Sequence, residues 1–139
     1  MFLLIIGAAC ALCSLAAAVT LHLSLPGWKT VAGLSGVAAD RVANIDVRRL
    51  RRRLSLVFYF IFAGFLALSI LLSVKVIPSV AATPSFFAVA LVAFNAVIAL
   101  YKRFDRNVYS SGVRHSSLIA AIAGNAALLA LCAISFLLS

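Results

Sequence analysis

Residues 48–77 read RRLRRRLSLVFYFIFAGFLALSILLSVKVI, so a cluster of five arginines runs directly into a long apolar stretch. A helix that spans a membrane needs about 20 mainly apolar residues. The stretch therefore predicts a transmembrane helix over 54–77. Because Lys and Arg concentrate on the cytoplasmic side of membrane proteins, the arginines predict that this helix begins in the cytoplasm.

The whole composition agrees with this interpretation. The chain has 139 residues, of which 65% are hydrophobic and 11% charged, whereas a soluble domain is about 45–50% apolar. A chain of this length cannot bury so much apolar surface in one soluble core. The composition excludes an ordinary soluble enzyme, a disordered chain, a disulfide scaffold and a coiled coil. A polytopic membrane protein remains.

Three further apolar runs qualify as spans. With the run at 54–77 they predict an all-α integral membrane protein, a four-transmembrane-helix bundle forming one membrane domain over 1–139. The first run could be a cleaved signal peptide, but it lacks the basic start of one, so we interpret it as a retained helix. The predicted spans are 2–25, 54–77, 84–101 and 117–138, and the predicted cytoplasmic loops are 27–53 and 102–116.

The basic residues predict the orientation. Seven Lys and Arg residues lie in 27–53 and four in 102–116, so 11 of the 12 fall on one side. The positive-inside rule makes that side cytoplasmic, with the N-terminus and the C-terminus outside. We expect the bacterial inner (plasma) membrane. Orientation also accounts for most of the net charge of +9, so no nucleic-acid partner is inferred.

The arginine cluster is the most informative feature of the loop. Each basic residue near an anionic leaflet contributes about 1 kcal/mol of attraction. The cluster therefore predicts binding of anionic lipid as well as fixing topology. Its members are Arg48, Arg49, Arg51, Arg52 and Arg53.

A short amphipathic cytoplasmic helix is expected just upstream of the cluster. Asp40 is predicted to cap it, and it would run from about Arg41 into the second span. Gly33 is expected to supply the preceding turn, and Asp46 to shape the segment before the span.

Few polar groups lie inside the predicted spans, which contain no Asp, Glu or Arg. Proton relays need ionisable residues within a span, so a proton-coupled pump is disfavoured. The amides of Asn95 and Asn125 lie at similar depth and are predicted to make interhelical contacts. A polar spot on a substrate path is the alternative for the same two residues.

Small residues four apart let helix backbones approach closely. The pairs Gly7 and Ala11 in the first span, and Ala120 and Gly124 in the fourth, predict that these two spans make tight contacts. The same spacing does not distinguish a contact within the chain from a contact in a homodimer.

No catalytic, metal or cofactor site is predicted. A Cys-x-x-Cys motif can carry redox or metal chemistry, but in an apolar helix the thiols are better explained as small packing residues. The carboxylates are few, and no additional ligands accompany the histidines. The side chains considered are Cys10, Cys13, Cys132, His22, His115, Asp40, Asp46 and Asp105.

The stretch AGLSGVAADRVANIDVRRL, residues 32–50, resembles a family of small bacterial multi-span membrane proteins catalogued as a domain of unknown function. Ala32 and Gly33 match the start of the family's AGYNTM run, and Asp46 and Leu50 match its acidic residue and its leucine. The resemblance covers about 5–72. It implies a multi-span plan with short loops, similar to that of SdpI-type bacteriocin immunity proteins, and no assigned activity.

Together these observations predict a non-enzymatic membrane protein that acts by partner or lipid interaction, such as an immunity-like factor or an accessory subunit. Its expected partners are the bilayer, anionic lipids, and a second copy or another membrane protein. The alternative is a small oligomeric transporter or channel. A lipid-directed enzyme is the least supported class because so few carboxylates are present. Residues 105–108 faintly echo 40–44, and a duplication of the two halves stays open.

Overall fold

The computed structural model describes residues 2–137, without the side chains of Phe2 and Ser79, and these residues are helical for most of their length. Four of the helices are long and apolar enough to cross a membrane. Leu138, where the fourth span was predicted to end, lies outside the described residues. The helices are α1 (Phe2–Leu23), α2 (Trp28–Val31), α3 (Ala39–Ala43), α4 (Val47–Ser73), α5 (Ser79–Phe104) and α6 (Ser111–Leu137).

Helices α4, α5 and α6 begin before the predicted spans, whereas α1 ends at Leu23 and α4 at Ser73, short of the predicted ends at 25 and 77. Helix α4 begins at Val47 rather than at Leu54, so the whole arginine cluster is helical. Arginine is a good helix former, and the Asp46 carboxylate caps the helix by accepting a hydrogen bond from the backbone N–H of Arg49 at 3.1 Å. At 1.5 Å per residue, α4 is about 40 Å long, whereas a bilayer's hydrocarbon layer is about 30 Å thick.

The short helix expected upstream is placed differently. Its N-cap is Ala38 and makes no side-chain hydrogen bond, so the prediction that Asp40 caps it is wrong. The helix α3 also ends at Ala43 and does not run into α4. The break has a local cause, because Asp46 must leave helical geometry (φ −74°, ψ 75°) in order to cap α4.

The long helices stand in the order α1, α4, α5, α6. Helix α4 packs against α1 on one side and α5 on the other, and α6 packs against α5. At the contact of α4 with α5, the Phe65 ring stacks on the Phe86 ring with their centres 5.3 Å apart. No residue of α6 within the described part is fully buried.

The glycines and alanines singled out in the sequence contact different neighbours. Ala11 is buried, and Gly7 lies against Ser69 of α4 and Phe86 of α5. Gly124 faces the Phe94 ring of α5, whereas Ala120 is exposed. The first and fourth long helices therefore make their close approaches to α4 and α5.

The hydrophobic core is concentrated where α1 ends and α4 begins. Leu21 and Leu54 meet there, and the connecting segment inserts Ala32 and Leu34 beside them. We call this end of the molecule, formed by residues 24–53 and 102–110, the basic end.

Candidate functional site

The two basic loops are joined to each other by backbone pairing. Ile45 and Asp105 form an antiparallel bridge. On either side of it, the N–H of Asp46 donates to the carbonyl of Phe104 at 3.1 Å, and the N–H of Arg106 donates to the carbonyl of Asn44 at 3.2 Å. The chain that enters α4 is thus held against the chain that leaves α5.

Asn107 adds side-chain hydrogen bonds to this junction. Its Nδ2 donates to the Arg41 carbonyl at 2.9 Å and to Oδ1 of Asp105 at 2.7 Å. Its Oδ1 accepts a hydrogen bond from Nδ2 of Asn44 at 3.2 Å. One amide therefore contacts both segments of the basic end.

Asp105 is the charged centre of the junction. Its Oδ2 accepts a hydrogen bond from the Tyr109 hydroxyl at 2.5 Å, and its Oδ1 accepts one from the Asn107 backbone N–H at 2.9 Å. Partial burial alone would raise the pKa of Asp105. The hydrogen bonds from Tyr109 and Asn107, with the nearby charge of Arg41, outweigh burial and lower that pKa below its ordinary value.

The pKa of Tyr109 is shifted in the opposite direction to that of Asp105. Its hydrogen bond to the Asp105 carboxylate is the main cause that raises the pKa of the phenol above its ordinary value, because the bond requires the phenol to keep its proton. The guanidinium of Arg41 lies 5.9 Å from the centre of the Tyr109 ring. Tyr109 is therefore a protonated phenol that donates its hydrogen bond to the ionised carboxylate of Asp105.

The segment after α1 is fastened to the long helices at two points. The Tyr101 hydroxyl donates to the carbonyl of Ala32. The guanidinium of Arg51 donates to the Ser24 hydroxyl and lies 5.4 Å from the centre of the Trp28 ring, at a distance where a cation and an aromatic face attract.

Gly33 follows Ala32 with φ +65°, which glycine adopts without steric cost. The chain therefore turns at Gly33, directly after the buried Ala32.

The five arginines have different surroundings. Arg51 is half-buried against the loop, whereas the other four are exposed. Arg49 pairs with Asp46 at 3.4 Å. Since three and four residues make about one helical turn, the exposed guanidinium groups lie on several sides of α4. They form a positively charged surface at the basic end, consisting of Arg48, Arg49, Arg52 and Arg53.

The two asparagines of the long helices lie side by side. Nδ2 of Asn95 donates to Oδ1 of Asn125 at 2.6 Å, and Nδ2 of Asn125 donates back to Oδ1 of Asn95 at 3.2 Å. Each Nδ2 also donates to a carbonyl one turn earlier in its own helix, Leu91 or Ala121. Both amide donors of each side chain are thereby used, which suits a contact in apolar surroundings.

The sulfur and imidazole groups lie apart from the junction. Cys10, Cys13 and Cys132 carry free thiols, and His22 packs edge-on against Tyr59 with ring centres 6.1 Å apart. Within residues 2–137, no three His, Cys, Asp or Glu side chains come together as metal ligands would.

Sequence reasoning missed most of the junction. It gave no role to Asn44, Asn107 or Tyr109. The one available signal was the faint echo between 40–44 and 105–108, because those segments supply the two asparagines that bond to each other. A shared pattern of Asp, Arg and Asn at two loop positions is too short to indicate a contact.

Comparison of the chain with protein-family models, with curated proteins and with solved structures finds no match in any of the three. The fold therefore defines a class only: a helical protein with four candidate transmembrane helices.

Proposed function

We propose that this chain is a non-enzymatic polytopic protein of the bacterial inner membrane, which acts by binding a membrane partner or anionic lipid through its basic end. Both termini lie outside, and the basic end lies in the cytoplasm. An immunity-like factor or an accessory subunit of a larger membrane complex fits this description.

The joined loops are the observation that carries the proposal. The bridge between Ile45 and Asp105 holds the two basic loops together, and the positive-inside rule then assigns that single end to the cytoplasm. Around the bridge the polar side chains bond to one another. Arg48, Arg49, Arg52 and Arg53 of α4 are in contrast exposed, so they are the groups available to a partner.

The resemblance of 5–72 to a family of small multi-span membrane proteins supports the same proposal. The residues that match the family lie where they shape the basic end. Leu50 is fully buried, Ala32 is buried in the cluster with Leu21 and Leu54, and Gly33 has a positive φ that turns the chain. These residues give the basic end its shape, and their side chains carry no reactive group.

The experiment that tests the proposal is affinity purification of the tagged protein after cross-linking in intact membranes. We expect a defined membrane protein or anionic lipid to co-purify, and the triple variant Arg48→Gln, Arg52→Gln, Arg53→Gln to lose it. Lys75→Gln, two residues beyond the other end of α4, is a single-charge control and should retain it. A protein recovered alone under all cross-linking conditions would contradict the proposal.

A small oligomeric transporter or channel is a second candidate, and one observation favours it. Helix α6 packs against α5 and has no fully buried residue in its described part, so it offers a face for a second copy. Oxidative cross-linking of Ile122→Cys, in a background without the native cysteines, tests it in membranes. A cross-linked dimer supports the oligomer, and monomer alone excludes this face as its interface.

A further inference from the structure

A groove lies between α4 and α5 at the basic end. It is open along one side and has a volume of about 480 Å³. Every residue that lines it is apolar except one arginine. The lining residues are Arg53, Leu56, Val57, Phe60, Val92, Ala96, Ala99 and Leu100.

The length of α4 relates the groove to the layers of a bilayer. The 20 residues from Leu54 to Ser73 measure about 30 Å, the thickness of the hydrocarbon layer. Arg53 therefore lies at the boundary between hydrocarbon and headgroups. From Arg53 the groove follows α4 to Phe60, about 10 Å toward the membrane interior. Its apolar wall is about half exposed at Leu56, Phe60 and Val92.

The charge around the mouth of the groove is positive. Arg49 precedes Arg53 by one helical turn, and Arg103 follows Ala99 by one turn, so both share the faces that line the groove. No carboxylate lines it, and the Asp46 carboxylate nearby is paired with Arg49. Guanidinium groups bind phosphate through paired, charge-assisted hydrogen bonds.

We propose that this groove binds one anionic phospholipid of the cytoplasmic leaflet. Its phosphate lies on Arg53, with Arg49 and Arg103 beside it, and one acyl chain lies along Phe60 and Ala96. An apolar trough that ends in cations matches a lipid better than a free phosphate ion, which would leave the trough uncovered. The inference rests on the membrane insertion of the proposed function and names one lipid site within it.

The test is native mass spectrometry of the full chain in detergent, with phosphatidylglycerol and phosphatidylcholine added at equal concentration. We expect one phosphatidylglycerol to be retained in preference to phosphatidylcholine. Arg53→Gln should reduce that preference about fivefold, which corresponds to about 1 kcal/mol for one basic residue. Lys75→Gln is the charge control and should keep the preference, since Lys75 follows the opposite end of α4 and does not line the groove.

A steric variant separates the groove from general charge attraction. Ala99→Phe fills the groove without changing charge and should also abolish retention, whereas Ala123→Phe on α6 should not. Equal losses in Arg53→Gln and Lys75→Gln, or retention in Ala99→Phe, would overturn the site. Displacement of the lipid by inorganic phosphate would show that the headgroup alone is bound and would overturn it too. These outcomes leave the orientation of the chain, which is measured in cells, unaffected.

Discussion

Nδ2 of Asn44 donates a hydrogen bond to Oδ1 of Asn107 across 63 positions of sequence, at 3.2 Å. The bond lies beside the backbone bridge between Ile45 and Asp105. It joins the segment before α4 to the segment after α5. Because the arginine cluster follows the first segment, and Lys102 and Arg103 precede the second, this contact makes one charged end out of two separate loops.

Asn107→Ala should weaken the basic end. The change removes the three side-chain contacts that Asn107 makes with Arg41, Asp105 and Asn44. A hydrogen bond contributes about 0.5–1.5 kcal/mol, so we expect a loss of about 1–2 kcal/mol in the free energy of unfolding. Unfolding in detergent, followed by circular dichroism, measures the loss. Val108→Ala is the neighbouring control, because Val108 is 92% exposed, and an equal loss there would contradict the assignment.

Stability should depend on pH through Asp105 and Tyr109. The pKa of Asp105 is lowered in the folded chain, so its contribution is present above the unfolded pKa of about 3.9. It is lost as the pH falls through the lower, folded value. The pKa of Tyr109 is raised, so its contribution is present below about pH 10 and is lost as the pH rises through the folded value.

Asp105→Asn and Tyr109→Phe identify the two groups. The first variant should remove the acid-side dependence and the second the alkaline-side dependence, each in unfolding measured against pH. Asp40→Asn, which removes a carboxylate from the other loop of the basic end, is the control for the acid side. If Asp105→Asn kept the dependence of the parent chain, the carboxylate would not be responsible.

The amides of Asn95 and Asn125 should be coupled energetically. Either single change to Leu leaves the other amide without its partner, so each should destabilise the protein. The double variant should lose less than the sum of the two, with a coupling of about 0.6–2 kcal/mol. A double-mutant cycle in denaturant measures it. Strict additivity would show that the pair contributes nothing as a pair.

Gly124 should not tolerate a side chain, whereas Gly112 in the same helix should. A Cβ at Gly124 would lie 2.6 Å from Cζ of Phe94, and nothing lies within 4 Å of one at Gly112. We expect Gly124→Ala to cost about 1–3 kcal/mol through overpacking. Gly112→Ala should be neutral or stabilise the helix by up to about 1 kcal/mol. Thermal unfolding of both variants tests this, and equal effects would contradict the close contact of α5 with α6.

The apolar runs predicted the four long helices because lipid-compatible helices need length and hydrophobicity, and both can be counted. The ends of the helices could not be predicted from length and hydrophobicity. Helix α4 continues through the arginine cluster to Val47, since arginine is compatible with a helix and Asp46 caps it. Composition marks the edge of the apolar run, whereas capping marks the edge of the helix.

The basic end was only partly predictable, for a different physical reason. The charge asymmetry placed both loops on one side, but the contacts between them join residues far apart in sequence. The insertion of Ala32 and Leu34 beside Leu21 likewise depends on the space that α1, α4 and α5 leave. The contact between Asn95 and Asn125 could be predicted from the sequence, because two amides in otherwise apolar helices need hydrogen-bond partners.

The side of the membrane on which the basic end lies is the central claim, and cysteine accessibility tests it most directly. Val108→Cys and Val76→Cys are made in a background without the native cysteines, at positions 92% and 67% exposed at opposite ends of the helices. Cells with a permeabilised outer membrane are treated with a membrane-impermeant maleimide. We predict that Val76→Cys is labelled directly and that Val108→Cys is labelled only after the inner membrane is opened. Direct labelling of Val108→Cys, with Val76→Cys protected, would contradict the account.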